Sequence, residues 1–182
     1  AAATHTGSLA GNDTVYDTVF AECGAYRPQS IDEMLDIAYL CATTGTQPSN
    51  SDIAILTGSG GVGILMADHA VDHGLNLPKL TPAGIAAVAE VLPFAVAANP
   101  LDTTAQVTAV KSGVTRTLEA LLSHSSCATV FSYMSLIGMS PSRFKSTGDE
   151  LAALKRKYPD RTIVAVMLAT AEVAAELDQH GI

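Results

Sequence analysis

Ile53-Ala54-Ile55-Leu56-Thr57-Gly58-Ser59-Gly60-Gly61-Val62-Gly63 joins an uninterrupted apolar run to a glycine-rich turn, and Ile64, Leu65, Ala67 and Val71 continue it at helical spacing. An apolar run without polar alternation suits a strand buried on both faces, as strands of parallel sheets are. The stretch therefore predicts a strand, a turn and a helix. The same alternation recurs downstream. A helix is expected over about 82–92, a strand near 94–98, a helix from about 105 to 122 and a strand over 128–133. A helix introduced by Thr147-Gly148-Asp149-Glu150, a strand over 162–168 and a helix over 171–179 complete the series. Alternating strands and helices predict an α/β, flavodoxin-like (Rossmann-like) open parallel sheet with helices on both faces, its ligands bound at the carboxyl ends of the strands.

Upstream the pattern changes. Asn12-Asp13 can cap a helix bearing Val15, Val19, Phe20 and Cys23, and Gly24 stops it. Residues 25–27 suit a short strand, and Ser30-Ile31-Asp32-Glu33 is a capping box opening a helix with Ile31, Met34, Leu35, Ala38 and Tyr39. Residues 43–51 lack apolar periodicity and form the expected linker. A small helix–strand–helix piece of an adjoining domain, 1–45, is thus expected to precede the sheet domain, 46–182.

The 182 residues are 48% apolar, enough to bury a full core. No apolar stretch approaches roughly 18 residues and no signal peptide stands at the start, so a cytoplasmic protein without membrane attachment is expected. Three cysteines without a C-x-x-C pair argue against a disulfide framework and a zinc site. A formal charge of −8 disfavours nucleic acid and anionic lipid as partners. The chain opens without methionine and stops at His180-Gly181-Ile182 just after a helix, so both ends look cut from something longer.

Thr57, Gly58, Ser59, Gly60, Gly61, Val62 and Gly63 form the strongest candidate site. Free N–H groups at a helix start, the positive end of the helix dipole and missing β-carbons favour a phosphate lying against the backbone. A tight turn that binds nothing is the plain alternative. Gly58, Gly60 and Gly63 also match G-x-G-x-x-G, but the ribose-binding acid expected about 20 residues on is missing. No Lys-Ser/Thr follows to make a Walker loop.

His5, flanked by Thr4, Thr6, Gly7 and Ser8, is a nucleophile that small neighbours leave open to a phosphoryl group, or else a solvated tail residue. His69 and His73 stand one helical turn apart, but Ala70 replaces the glutamate of a metalloprotease helix, and no metal is expected. Asn99 and Asp102 follow a strand and offer a possible ligand edge, or an ordinary turn. Ser132 and Ser135 lie after a strand, where ligand contacts are unspecific. Lys155-Arg156-Lys157 suits the cationic last turn of a helix.

Thr4-His5-Thr6-Gly7-Ser8-Leu9-Ala10-Gly11 and the segment from Gly24 to Leu35 resemble the end of the second domain of NDP-forming acyl-CoA synthetases, relatives of succinyl-CoA synthetase. Ile53 to Asp68, Gly74-Leu75-x-Leu77-Pro78-x-Leu80 and Asn99-Pro100-Leu101-Asp102 resemble their succinyl-CoA-ligase-like flavodoxin domain. The resemblance implies an acid–thiol ligase that interconverts acid, CoA and NTP with acyl-CoA, NDP and phosphate through a phosphohistidine. It sets His5 at the carrier position and the 57–63 loop at one of two phosphate-stabilising helix starts. CoA and ATP/ADP with Mg would be bound mostly by CoA-binding and ATP-grasp domains, in the parent protein or a partner subunit, and a small carboxylic acid would be the substrate. The resemblance thus implies a fragment inactive alone. A non-catalytic ligase-like regulatory module of a fused protein acyltransferase is the alternative.

Overall fold

The computed structural model describes residues 12–45 and 47–182. The chain divides into two compact units, Ala1–Leu40 and Cys41–Ile182. In the first, α1 spans Asp13–Glu22 and α2 begins at Ile31, ending at Thr44. Asn12 caps α1 through its side chain, which accepts from Thr14 N–H at 3.0 Å. Ser30 Oγ accepts from Glu33 N–H at 3.0 Å, while the Glu33 carboxylate reaches back to Gln29 N–H, one residue beyond an ideal capping box. The expected strand at 25–27 is absent. An extended segment needs a neighbouring strand to pair its backbone, and none is present among the described residues of this unit. The segment is tied by side chains instead. Arg27 bridges Asp13 and Asp17 at 2.8 and 2.7 Å, and the Tyr26 hydroxyl donates to Glu33. The two aspartates hold the Arg27 guanidinium pKa above its ordinary value. The apolar stripes appear as expected, yet α1 buries no residue, and Val15, Ile31 and Leu35 are exposed.

The second unit contains a four-stranded parallel sheet, ordered β2-β1-β3-β4. β1 is Ile53–Thr57, β2 Leu101–Asp102, β3 Thr129–Gly138 and β4 Thr162–Ala169. All five residues of β1 are buried, the pattern expected of a central parallel strand. Helix α3 (Gly60–Asp72) covers one face, packing Ala70, Met66 and Ala67 against Ile53, Ile55 and Phe131. The other face carries the larger core. There α4 (Pro82–Val91), α5 (Gly113–His124), α6 (Pro141–Lys157) and α7 (Ala171–Asp178) pack Val88, Leu118, Phe144, Leu151 and Val173 with Ala54, Leu56, Val130 and Ile163. The α/β, flavodoxin-like sheet with helices on both faces is therefore present. Among the described residues no helix is long and apolar enough to cross a membrane.

Three expected elements move. Residues 94–98 form a turn and irregular chain, with Phe94 and Val96 exposed, and the strand is Leu101–Asp102 after the cis Asn99–Pro100 bond. The helix expected over 105–122 is broken into a 3-10 turn, Ala105–Ala109, and α5. Between them Ser112 takes a φ of 53°, a left-handed conformation that no helix interior accommodates. Helix α6 starts six residues before Thr147, because Pro141 fits the first helical position, where no N–H is needed. Lys155, Arg156 and Lys157 form its cationic last turn, as expected, and one of them, Lys155, is tied to the following loop. It is buried and its ammonium donates to Pro159 O and Arg161 O at 3.1 and 2.8 Å, with burial lowering its pKa.

The break before α5 generates a test. A Cβ on Gly113 would stand 2.5 Å from Val107 O and 3.0 Å from Val110 Cβ. Gly113→Ala is expected to destabilise the protein by about 1–3 kcal/mol in urea unfolding, although alanine favours a helix by about 1 kcal/mol. Unchanged or increased stability would show that the junction relaxes freely.

Candidate functional site

The carboxyl ends of β1, β2 and β3 meet at the start of α3. Thr57 is the last residue of β1 and stands in register between Asp102 and Tyr133. Its hydroxyl accepts from Ser59 N–H at 2.9 Å and donates to Ser59 O at 3.0 Å, folding the chain out of the strand. Thr103 then donates to Thr57 O twice, from its N–H at 2.8 Å and its hydroxyl at 3.0 Å. Ser59 is the N-cap of α3 but its side chain makes no capping bond. The first-turn N–H groups of Gly60, Gly61 and Val62 therefore have no intrahelical acceptor, as at any helix start, and point out of the strand edge with the positive helix dipole.

Close approach explains two of the glycines. A Cβ on Gly60 would stand 2.9 Å from Asp102 Oδ2, and one on Gly63 would stand 2.9 Å from Thr57 Cγ2. Gly61 has open space where a side chain would go. The Gly60 contact shows that Asp102 lies against the α3 start, while its other oxygen accepts from Thr104 N–H at 2.8 Å. A carboxylate there is favoured by the helix dipole. Any second anion placed at this helix start would meet its negative charge.

Asn99, considered for the ligand edge, is hydrogen-bonded to the backbone of β1. Its Oδ1 accepts from Ile55 N–H at 3.0 Å, and its Nδ2 donates to Ile53 O at 2.8 Å and Pro78 O at 3.2 Å. The side chain thus substitutes for a strand along β1 where β2 is too short to pair. His69 and His73 lie at the far end of α3, bordering an apolar groove with Ile53, Ile55 and Phe131. His73 Nδ1 approaches His69 O at 2.8 Å. No cluster of three His, Cys, Asp or Glu side chains suited to a metal occurs among the described residues. His5 lies outside the described residues.

Behind the loop a cleft of about 450 Å³ opens on the face of the sheet opposite α3. Its lining mixes apolar side chains, such as Leu56, Val107 and Met134, with hydroxyl-bearing ones, such as Thr103, Thr104 and Tyr133. Thr104 and Ser135 have φ of 53° and 52°, uncommon values for residues with a side chain and for threonine in particular. At Ser135 the β3–β4 register shifts. Ser132 also borders this cleft, which the sequence reading left as an unspecific possibility.

Two substitutions separate these roles. Asp102→Asn is expected to tighten binding of inorganic phosphate at the α3 start about 3–10-fold by removing a like charge, read from amide NMR shifts of Gly60 and Gly61. Unchanged affinity would mean that Asp102 does not oppose the anion. Asn99→Ala is expected to cost about 1–3 kcal/mol by leaving Ile55 N–H without its partner. Phosphate affinity of the folded protein should stay the same, and a selective loss of that affinity would place Asn99 at the ligand edge.

Comparison with known proteins now places the chain. The model described as Succinyl-CoA ligase like flavodoxin domain matches residues 1–41, and that described as Ligase-CoA domain matches residues 53–182. The two descriptions fall in the opposite order to the labels that the resemblance suggests. An ADP-forming acetate–CoA ligase of Methanocaldococcus jannaschii is 41% identical over 103 residues, 56% of this chain and 14% of that protein. An ADP-forming 4-hydroxybutyrate–CoA ligase of Nitrosopumilus maritimus is 24% identical over 167 residues, 92% of this chain and 23% of that protein. A dinucleotide forming acetyl-coenzyme A synthetase 1 of Ca. Korarchaeum cryptofilum, solved with phosphate and ADP, shares the fold at a TM-score of 0.80. That structure is 23% identical, and the match covers 98% of this chain and 39% of the other. Through its Ligase-CoA domain, the chain belongs to the NDP-forming acyl-CoA synthetase family.

Proposed function

We propose that this chain is a fragment of an acid–thiol ligase that interconverts acid, CoA and NTP with acyl-CoA, NDP and phosphate, using His5 as the phosphoryl carrier. The observation that carries the reading is a glycine loop at the start of α3, at the carboxyl edge of a Ligase-CoA domain. In the forward direction a His5 ring nitrogen attacks the terminal phosphorus of the NTP. An N–P bond forms as the P–O bond to the departing NDP breaks, and the ring gives up its N–H proton. The dianionic phosphoryl group is then received by the N–H groups of Gly60, Gly61 and Val62. Asp102, set against the same helix start, keeps that binding weak enough for the phosphoryl group to move on toward the acid and CoA. Attack of the acid's carboxylate oxygen on the phosphorus breaks the N–P bond, giving an acyl phosphate and freeing the imidazole, and the CoA thiol then displaces phosphate from the acyl carbon to give acyl-CoA.

The chain spans 14% of the M. jannaschii acetate–CoA ligase and 23% of the N. maritimus 4-hydroxybutyrate–CoA ligase. The CoA-binding and ATP-grasp parts, with CoA, ATP/ADP and Mg as their ligands, accordingly belong to the rest of the parent protein or to a partner subunit. A relative named as an alpha subunit, the ADP-forming acetate–CoA ligase II alpha subunit of Pyrococcus furiosus, supports the partner-subunit arrangement.

The test uses the full-length parent. Radiolabelled NTP should leave an acid-labile, base-stable label on the wild type. His5→Ala should abolish the label and lower turnover at least about 1,000-fold. Near-normal acyl-CoA formation by His5→Ala would exclude the carrier mechanism and favour the non-catalytic regulatory module.

A further inference from the structure

We propose that His69 and His73 form a two-imidazole site for a divalent transition metal at the carboxyl-terminal end of α3, independent of the ligase chemistry. Both side chains are exposed and border the same apolar groove. His73 is the C-cap of the helix, and its backbone N–H still bonds to His69 O at 3.2 Å, so helical spacing runs through to it. Side chains four residues apart on a helix have their Cβ atoms about 5–6 Å from one another. Two imidazoles at that spacing can share one ion, as the histidine pairs of helical zinc sites do. The missing glutamate after His69 excludes a metalloprotease centre. It does not exclude a site with two protein ligands and water in the remaining positions.

A second observation fixes one of the rings. His73 Nδ1 lies 2.8 Å from His69 O. A carbonyl oxygen can only accept, so Nδ1 carries the hydrogen, and in the neutral ring the lone pair stands on Nε2. Metal-ligating histidines are oriented in this way, the other ring nitrogen donating to a backbone carbonyl or a carboxylate. Charge favours a cation here as well. The pair sits at the negative end of the α3 dipole, and the exposed Asp68 and Asp72 each precede one of the histidines. No third His, Cys, Asp or Glu joins the pair as a ligand among the described residues, so the aspartates attract a cation without coordinating it. Ile53, Ile55, Leu65 and Phe131 line the groove beside the pair, and no Lys or Arg does. Imidazole suits Zn(II), Ni(II) and Cu(II), whereas Mg(II) takes oxygen ligands. The ion is therefore of a different class from the Mg that accompanies a nucleotide.

Zinc chloride titrated to about 1 mM into the chelator-treated 182-residue chain tests the assignment, with MgCl2 as the control. NMR is expected to show saturable shifts of the imidazole C–H signals of His69 and His73 and of the amides from His69 to Gly74. The wild-type ring signals identify the ligands without reference to any variant. His69→Ala and His73→Ala should each weaken zinc binding at least about 10-fold. Both side chains are exposed, so neither change removes core packing. His124→Ala and His180→Ala should leave the zinc shifts at His69 and His73 unaltered, and MgCl2 should not produce them. Absence of those shifts at 1 mM zinc, or their survival in His69→Ala or His73→Ala, overturns the proposal. Equal shifts with MgCl2 overturn it too, because they would assign the ion to Asp68 and Asp72.

Discussion

Burial of β1 on both faces is the constraint from which the site follows. With every residue from Ile53 to Thr57 buried, this strand needs hydrogen-bonded neighbours on both edges and apolar cover on both faces. β3 supplies one edge along its whole length. On the other, two residues of β2 and the side chain of Asn99 share the work. The chain can then leave only at the carboxyl edge, where Thr57 turns it through Ser59 into α3. The glycine loop is thus fixed in space by a strand that has no freedom to slip.

That fixed edge combines two environments with different electrostatics. At the mouth, the α3 start offers N–H groups and a positive dipole, tempered by Asp102 in contact with Gly60. One residue deeper, Leu56 and Ser132 stand in register and are buried, and the Ser132 hydroxyl has no hydrogen-bond partner among the described residues. Strain is concentrated at the same place: Thr104 and Ser135, with left-handed backbones, flank the opening, as residues in sparsely populated conformations often do near binding sites.

Much of this was legible in the sequence because it is local. The apolar run of β1, the glycines after it, and the runs that became β3 and β4 carry their own signals. The Ser140-Pro141 start of α6 carried one too, an N-cap followed by proline, which outranked the more obvious Thr147 cluster. The misplaced strand at 94–98 had the right composition, but its Phe94 and Val96 face solvent. The strand that β1 accepts lies beyond the Asn99–Pro100 turn. The interruption before α5 coincides with the left-handed Ser112 and with a junction that leaves no room for a Cβ at Gly113, backbone geometry with no trace in periodicity. The missing partner of Ser132 is a property of everything packed around it, so no motif announces it. His5 was picked out by its chemistry and by the resemblance of its flanking residues, and lies outside the described residues.

The central claim is that the α3 start and the phosphorylated histidine act on the same phosphoryl group. A crystal structure of the full-length parent, trapped after phosphorylation by NTP, addresses it most directly. The account predicts phosphoryl oxygens on His5 within about 3 Å of the N–H groups of Gly60 and Gly61, close to a hydrogen-bonded N–H···O distance. A phosphohistidine held elsewhere, with the α3 start turned away and Asp102 as its sole anion, would contradict it.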